Sequence, residues 1–249
     1  MKIALQLYSV KDETAKDFLG TLAKVAEMGY DGVEFAGFFG VDAKTLKAEL
    51  DRLGLKAAGS HTGLDLLKNN LDEVIAYNLE IGNPNVILPG AHLVEKKDFE
   101  DLGAFLQETG KKLKAHGLTL SYHNHAHEFV SFDGEFGLDI VFNSADPENL
   151  QTEVDTYWVY YAGVDPVEYI RKYKGRSPLV HIKDMEVVNG EKRSTDVGTG
   201  IINIAAIVAQ ARENGTEWLV IEQEAFTKGT LESVAIGCKN LKVINASNG

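Results

Sequence analysis

Three observations predict an α/β fold, a single (β/α)8 TIM barrel spanning residues 1–249. Short β-rich apolar runs recur eight times, helical patterns separate them, and the runs end in polar side chains. The length of 249 residues matches the ~250 typical of one complete barrel.

The strands read, in order, Ile3–Tyr8, Gly32–Phe35, Lys56–Ser60, Val86–Pro89, Leu118–His123, Gln151–Asp155, Leu179–Ile182 and Trp218–Glu222. Their average spacing of roughly 30 residues is the size of one βα unit. Phe18, Leu19, Leu22, Val25 and Ala26 share one face of the first helix, which Gly29 ends. Phe99, Leu102, Phe105, Leu106 and Leu113 do the same in the fourth, which stops at Gly117. Ile201, Ile204, Ile207 and Val208 mark the seventh, and Leu231, Val234, Ile236 and Leu241 the eighth. Strands alternating with helices require parallel pairing, because parallel neighbours need a crossover between them. The competing doubly wound sheet would show a Gly-rich turn after the first strand. Here that turn reads SVKDET, and neither a Rossmann nor a P-loop motif occurs.

Composition narrows the function classes. A net charge of −12 argues against nucleic acid or an acidic membrane surface as a partner, since both are held by clustered Lys and Arg. No apolar run reaches the ~20 residues of a membrane span. The first residues, MKIALQLYSV, read as a strand and not as a secretion signal. A lone cysteine, Cys238, builds no disulfide framework and reads as a small buried hydrophobe. A cytoplasmic protein is expected.

Position along the strands carries the functional argument. TIM-barrel chemistry sits where strands run into their βα loops. Those ends read Gln6 and Tyr8, Glu34, His61, His92, His123–Asn124–His125, Asp155, His181 and Glu222. Strands buried on both faces should finish apolar unless something requires polarity. Parity agrees: Thr119, Ser121, His123 and His125 share one face, as do Leu179, His181 and Lys183, and Val220 and Glu222. Asp155, His181 and Glu222 can therefore point into one mouth. One imidazole among carboxylates suits Mn²⁺, Mg²⁺, Co²⁺ or Zn²⁺, and carboxylates crowded without a cation would repel.

Several of these residues also have plainer readings. Glu34 could anchor a helix N-terminus, and His61 could make a structural hydrogen bond. His92 lies past its strand end, and His116 falls in a helix. Asn124 faces away from His123 and His125. The turn Gly198–Thr199–Gly200 fits backbone geometry better than a phosphate cradle.

The segments IALQLYSVKD, GYDGVEFAG, SHTGLD, LSYHNHAHEF, VDTYWV, VHIKDM, DVGTG and VIEQE resemble the sugar phosphate isomerase/epimerase superfamily of xylose isomerase-like TIM barrels. The likeness runs along essentially the whole chain and is strongest to a branch near 3-keto-glycoside epimerases and hydrolases. It implies one divalent metal ion held by Glu, Asp, His and Glu from four strand ends. Three carry over to Asp155, His181 and Glu222. Where the family has its first glutamate this sequence has His123, with Glu128 nearby. Either completes the set, and Glu128 is preferred because it keeps the family's charge balance. The resemblance further implies proton abstraction beside a carbonyl through an enediolate, with Glu222, Glu128 and His125 as acid/base residues. His61, His123, Lys183, Trp158 and Glu34 are the expected substrate contacts. The expected activity is a sugar or sugar phosphate isomerase or epimerase with a small carbohydrate substrate; a homo-oligomer is possible, since relatives are often dimers or tetramers, and the oligomeric state stays open. A lyase or hydrolase of 3-keto-glycosides could use the same groups. A non-catalytic sugar-binding barrel and an endonuclease IV-type phosphodiesterase are the other classes; the acidic charge speaks against the latter.

Overall fold

The computed structural model describes residues 1–247 and contains a closed barrel of eight parallel strands. They are β1 (Lys2–Gln6), β2 (Gly32–Phe35), β3 (Lys56–His61), β4 (Asn85–Leu88), β5 (Thr119–His123), β6 (Gln151–Asp155), β7 (Leu179–Ile182) and β8 (Trp218–Ile221). Each pairs with its neighbour in sequence, and β8 closes on β1. These are the eight strands read from the sequence, with small differences at their ends. β1 stops early because the Gln6 side chain accepts the Tyr8 amide at 3.0 Å, opening a 3-10 turn over Leu7–Val10.

Helices cover the outside. Asp17 and Asp42 cap Phe18–Glu27 and Ala43–Leu53 through their side chains, and Gly54 ends the latter in the left-handed conformation. Lys96–Ala115 starts on a reciprocal capping box of Glu95 and Asp98. Phe18, Leu22, Val25, Phe99, Leu102, Leu106 and Leu113 pack into the core between helices and barrel. Ile201 departs from the expected face: it precedes the helix Ile204–Asn214 and is 53% exposed.

Inside the barrel a small separate apolar cluster, Ala4, Ala58, Leu179, Trp218 and Val220, forms a floor. A Cβ on Gly32 would lie 2.5 Å from the Lys56 carbonyl oxygen and 2.9 Å from the Trp218 ring, so the missing side chain leaves room for the indole. A bulge between β2 and β3 at Val33/Glu34 then brings Glu34 opposite Gly59. A Cβ on Gly59 would sit 2.8 Å from a Glu34 carboxylate oxygen. The two glycines thus clear space for one aromatic and one charged group.

Two antiparallel hairpins were not visible in the sequence pattern. One joins Ser131–Phe132 to Glu135–Phe136. The other follows β7 and joins Asp184–Val188 to Glu191–Thr195 through Asn189 and Gly190, both at positive φ. The Asp184 carboxylate accepts the amides of Met185, Gly198, Gly200 and Ile202 at 2.8–3.2 Å. The Gly198 and Gly200 amides of that turn are therefore spent on Asp184, and the Thr199 amide donates to the Asp196 carbonyl at 3.0 Å. Among the described residues no helix is long and apolar enough to cross a membrane.

Candidate metal centre

Above the floor the barrel fills with polar and ionisable side chains, in two tiers. The upper tier consists of His123, Asp155, His181 and Glu222, each offering a donor atom within 4.8 Å of the others. His181 Nδ1 lies 3.5 Å from Glu222 Oε2 and 3.9 Å from Asp155 Oδ2, and His123 Nε2 lies 4.0 Å from Asp155 Oδ2. Asp155 Oδ1 accepts the Trp158 amide at 3.0 Å, capping the helix Thr156–Tyr161 and fixing the carboxylate. Its other oxygen and His181 Nδ1 are buried without a hydrogen-bond partner. Orphaned polar atoms this deep are costly and call for an explanation. A divalent cation shared between them would satisfy both, and two imidazole nitrogens with two carboxylate oxygens form a chemically competent donor set. The residues fit such an ion.

The lower tier lies at hydrogen-bond distances. Glu34 Oε1 accepts from Gln6 Nε2 at 2.6 Å and lies 2.8 Å from His181 Nε2 and 3.0 Å from His61 Nε2. Glu153 Oε2 lies 3.1 Å from His61 Nε2, 3.2 Å from His123 Nδ1 and 3.4 Å from His181 Nε2. His61, His123, Glu153 and His181 also form a group of metal-competent spacing, and both imidazoles of the upper tier belong to it.

Burial and charge pull these groups in opposite directions. Burial would raise Glu34, but the charges of His61 and His181 hold it well below the usual carboxylate range. Burial and then the Glu34 charge push Glu153 up to about 8, and burial pushes Asp155 up to about 6. Burial, with His181 and His61 as like-charged neighbours, keeps His123 well below its ordinary value, so it is neutral. His181 moves well above, because the nearby carboxylates outweigh its burial. The negative charge that raises His181 would stabilise a divalent cation for the same reason.

The mouth above the tiers is a cavity of about 440 Å³, lined by Tyr8, His61, Pro89, His123, His125, Trp158, Glu222 and Glu224 among others. Lys183 lies below its rim, 3.4 Å from Glu222 Oε2, bonded to Glu224, and over the rings of Trp158 and Tyr157. A larger cleft of about 730 Å³ lies on the outer wall around Tyr160, Pro166 and Ile207, away from both tiers.

Of the residues expected from the sequence, Asp155, His181 and Glu222 come together, with His123 beside them. Glu128 does not join them. It is buried, and its carboxylate accepts from the Tyr122 hydroxyl at 2.8 Å and from the His125 amide at 2.9 Å. The loop after β5 folds back, but the carboxylate it buries serves the loop itself. Glu34 is not at the mouth either; it is fully buried beneath His61 and His181. His61, His125, Lys183 and Trp158 lie at or just below the cavity. Glu153 and Glu224 were not picked out. Glu153 shares the inward parity of Asp155, two residues earlier on β6. Glu224 lies beyond its strand, where parity no longer applies.

Against known proteins, the model of the xylose isomerase-like TIM barrel family matches residues 22–240. An inosose dehydratase from Geobacillus kaustophilus (strain HTA426) is 26% identical over 246 residues, covering 82% of this chain and 79% of that protein. A sugar phosphate isomerase/epimerase structure from Parabacteroides distasonis ATCC 8503 superposes with a TM-score of 0.81 at 25% identity, covering 98% of this chain and 94% of the other. An L-ribulose 3-epimerase structure shares the fold with a TM-score of 0.79 at 18% identity, covering 99% and 95%.

Proposed function

We propose, from the premise that the chain belongs to the xylose isomerase-like TIM barrel family, that it is a metal-dependent isomerase or epimerase of an uncharged polyhydroxy ketone. The observation that carries this reading is the convergence of His123, Asp155, His181 and Glu222 with two orphaned donor atoms among them. His123 takes the place that the resemblance gives to a glutamate, so the donor set is two nitrogens and two oxygens. That balance favours borderline ions such as Zn²⁺, Co²⁺ or Mn²⁺ over Mg²⁺.

A bound divalent ion supplies Lewis-acid polarisation of the ketone oxygen and its neighbouring hydroxyl. Glu222 takes the proton from the adjacent carbon. It lines the cavity, and despite its burial Lys183 and His181 keep it ionised. His125 lines the same cavity and is held neutral chiefly by burial, so it can pass a proton to or from the substrate. Trp158 offers a ring face to the sugar. Lys183 is already engaged by Glu222 and Glu224, which leaves little to hold a phosphate and favours an uncharged substrate.

The test is to strip the protein with chelator, restore single divalent ions, and incubate it with ketoses and keto-cyclitols in deuterated water. Metal-dependent deuterium incorporation at carbon is expected. Its absence on every substrate overturns the reading. Elimination of water from the same enediolate is the second reading, and the inosose dehydratase relative favours it. A product lighter by one water, in place of a rearranged isomer, would select it.

A further inference from the structure

We propose that Glu34 is a positioning residue that fixes the tautomer of His181, keeping the Nδ1 lone pair free for a metal ion. The inference rests on the metal reading of the upper tier and adds a role for a residue outside the donor set. His181 Nε2 stands 2.8 Å from Glu34 Oε1, and both side chains are fully buried. An imidazole that ligates a metal is neutral and carries one N–H, while an ionised carboxylate can only accept. Were the proton on Nδ1, two acceptors would face each other at that distance, and an N–H would point at Asp155 Oδ2 and Glu222 Oε2. With the proton on Nε2, Glu34 Oε1 receives a donor and Nδ1 presents a lone pair. Nδ1 has no other hydrogen-bond partner.

The structure goes to some length to hold Glu34 there. The bulge at Val33/Glu34 sets its register, and Gly59 leaves the room it occupies. Gln6 Nε2 donates to the same oxygen at 2.6 Å, and His61 Nε2 lies 3.0 Å from it. A carboxylate behind a metal-bound imidazole orients the ring and raises its basicity. The nearby Glu153 Oε2, at 3.4 Å from the same nitrogen, is the more distant acceptor.

The experiment uses full-length protein loaded with Co²⁺, whose unpaired electrons shift the ring protons of bound histidines out of the protein envelope. In wild type, His181 is expected to show a shifted Nε2–H signal protected from solvent exchange. Glu34→Gln should lose that protection and weaken Co²⁺ binding by about 10–100-fold in chelator competition. Glu34→Asp, which withdraws the carboxylate by one methylene, should do the same and serves if the glutamine variant does not fold. Wild-type protein that binds Co²⁺ at Asp155 and His181 but shows an unprotected Nε2–H overturns the inference. So does a folded Glu34 variant with unchanged affinity and an unchanged signal. Wild-type protein that binds no Co²⁺ there defeats the metal reading itself, a distinguishable result.

Discussion

Asp155 makes the metal-free protein sensitive to pH, with a sign that can be worked out. Its carboxyl is fully buried, and burial, the largest influence, raises it from the ordinary 3.8 to about 6. Between those values the folded chain keeps a proton that the unfolded chain has released. Stability therefore falls as pH rises through the window from about 4 to about 6. A shift of about 2 pH units corresponds to roughly 3 kcal/mol at ~1.4 kcal/mol per unit. For a chain of this size that is a change of about 6–12 °C in melting temperature. The perturbation is Asp155→Asn, which keeps the oxygen that caps Trp158 and removes the titration. The assay is the melting temperature of chelator-treated wild type and variant from pH 4 to pH 7. The variant should gain on wild type by about that margin as pH rises. A saturating divalent ion should cancel the gain, because the cation then holds the oxygen that the proton held. A wild-type protein that keeps pace with the variant across the window would refute the reasoning.

His123→Ala should weaken metal binding by tenfold or more, whereas Glu128→Gln should leave it within about twofold and instead loosen the loop after β5; chelator competition on both variants decides which residue completes the donor set. Glu222→Gln should reduce deuterium exchange by about 10²–10⁴-fold if that carboxylate is the base, and exchange at the wild-type rate would remove it from the mechanism. Trp218→Ala should cost about 3–5 kcal/mol by opening a void in the barrel floor, read in denaturant unfolding, while metal affinity stays close to wild type.

The barrel was legible because closure needs only repetition: eight apolar runs at even spacing, each followed by a helical face. The upper tier was nearly as legible, since strand parity and strand ends are local properties of sequence. Asp155, His181 and Glu222 stood out as polar groups where the chain had no packing reason to place them. Depth was not legible. Glu34 is the last inward residue of β2 as His181 is of β7, yet a bulge and the room left by Gly59 set one beneath the other. Glu153 was overlooked because its charge lies mid-strand, where the partners that make it tolerable come from β3, β5 and β7. Glu128 was preferred on charge balance, which does not tell how a loop returns. The Tyr122 hydroxyl and the His125 amide, both within its own stretch of chain, claim it first.

Asp184 directly follows Lys183, and its carboxylate gathers amides from both ends of the hairpin excursion. The base of that excursion is clamped, so movement at its tip has no lever with which to shift the lysine. Asn189 and Gly190, at the tip, are exposed, and a replacement loop of another length need only supply residues that tolerate its own turn geometry. Evolution or an engineer can therefore rebuild the outer half of this arm, to contact a new surface or carry a tag, without retuning the mouth below it.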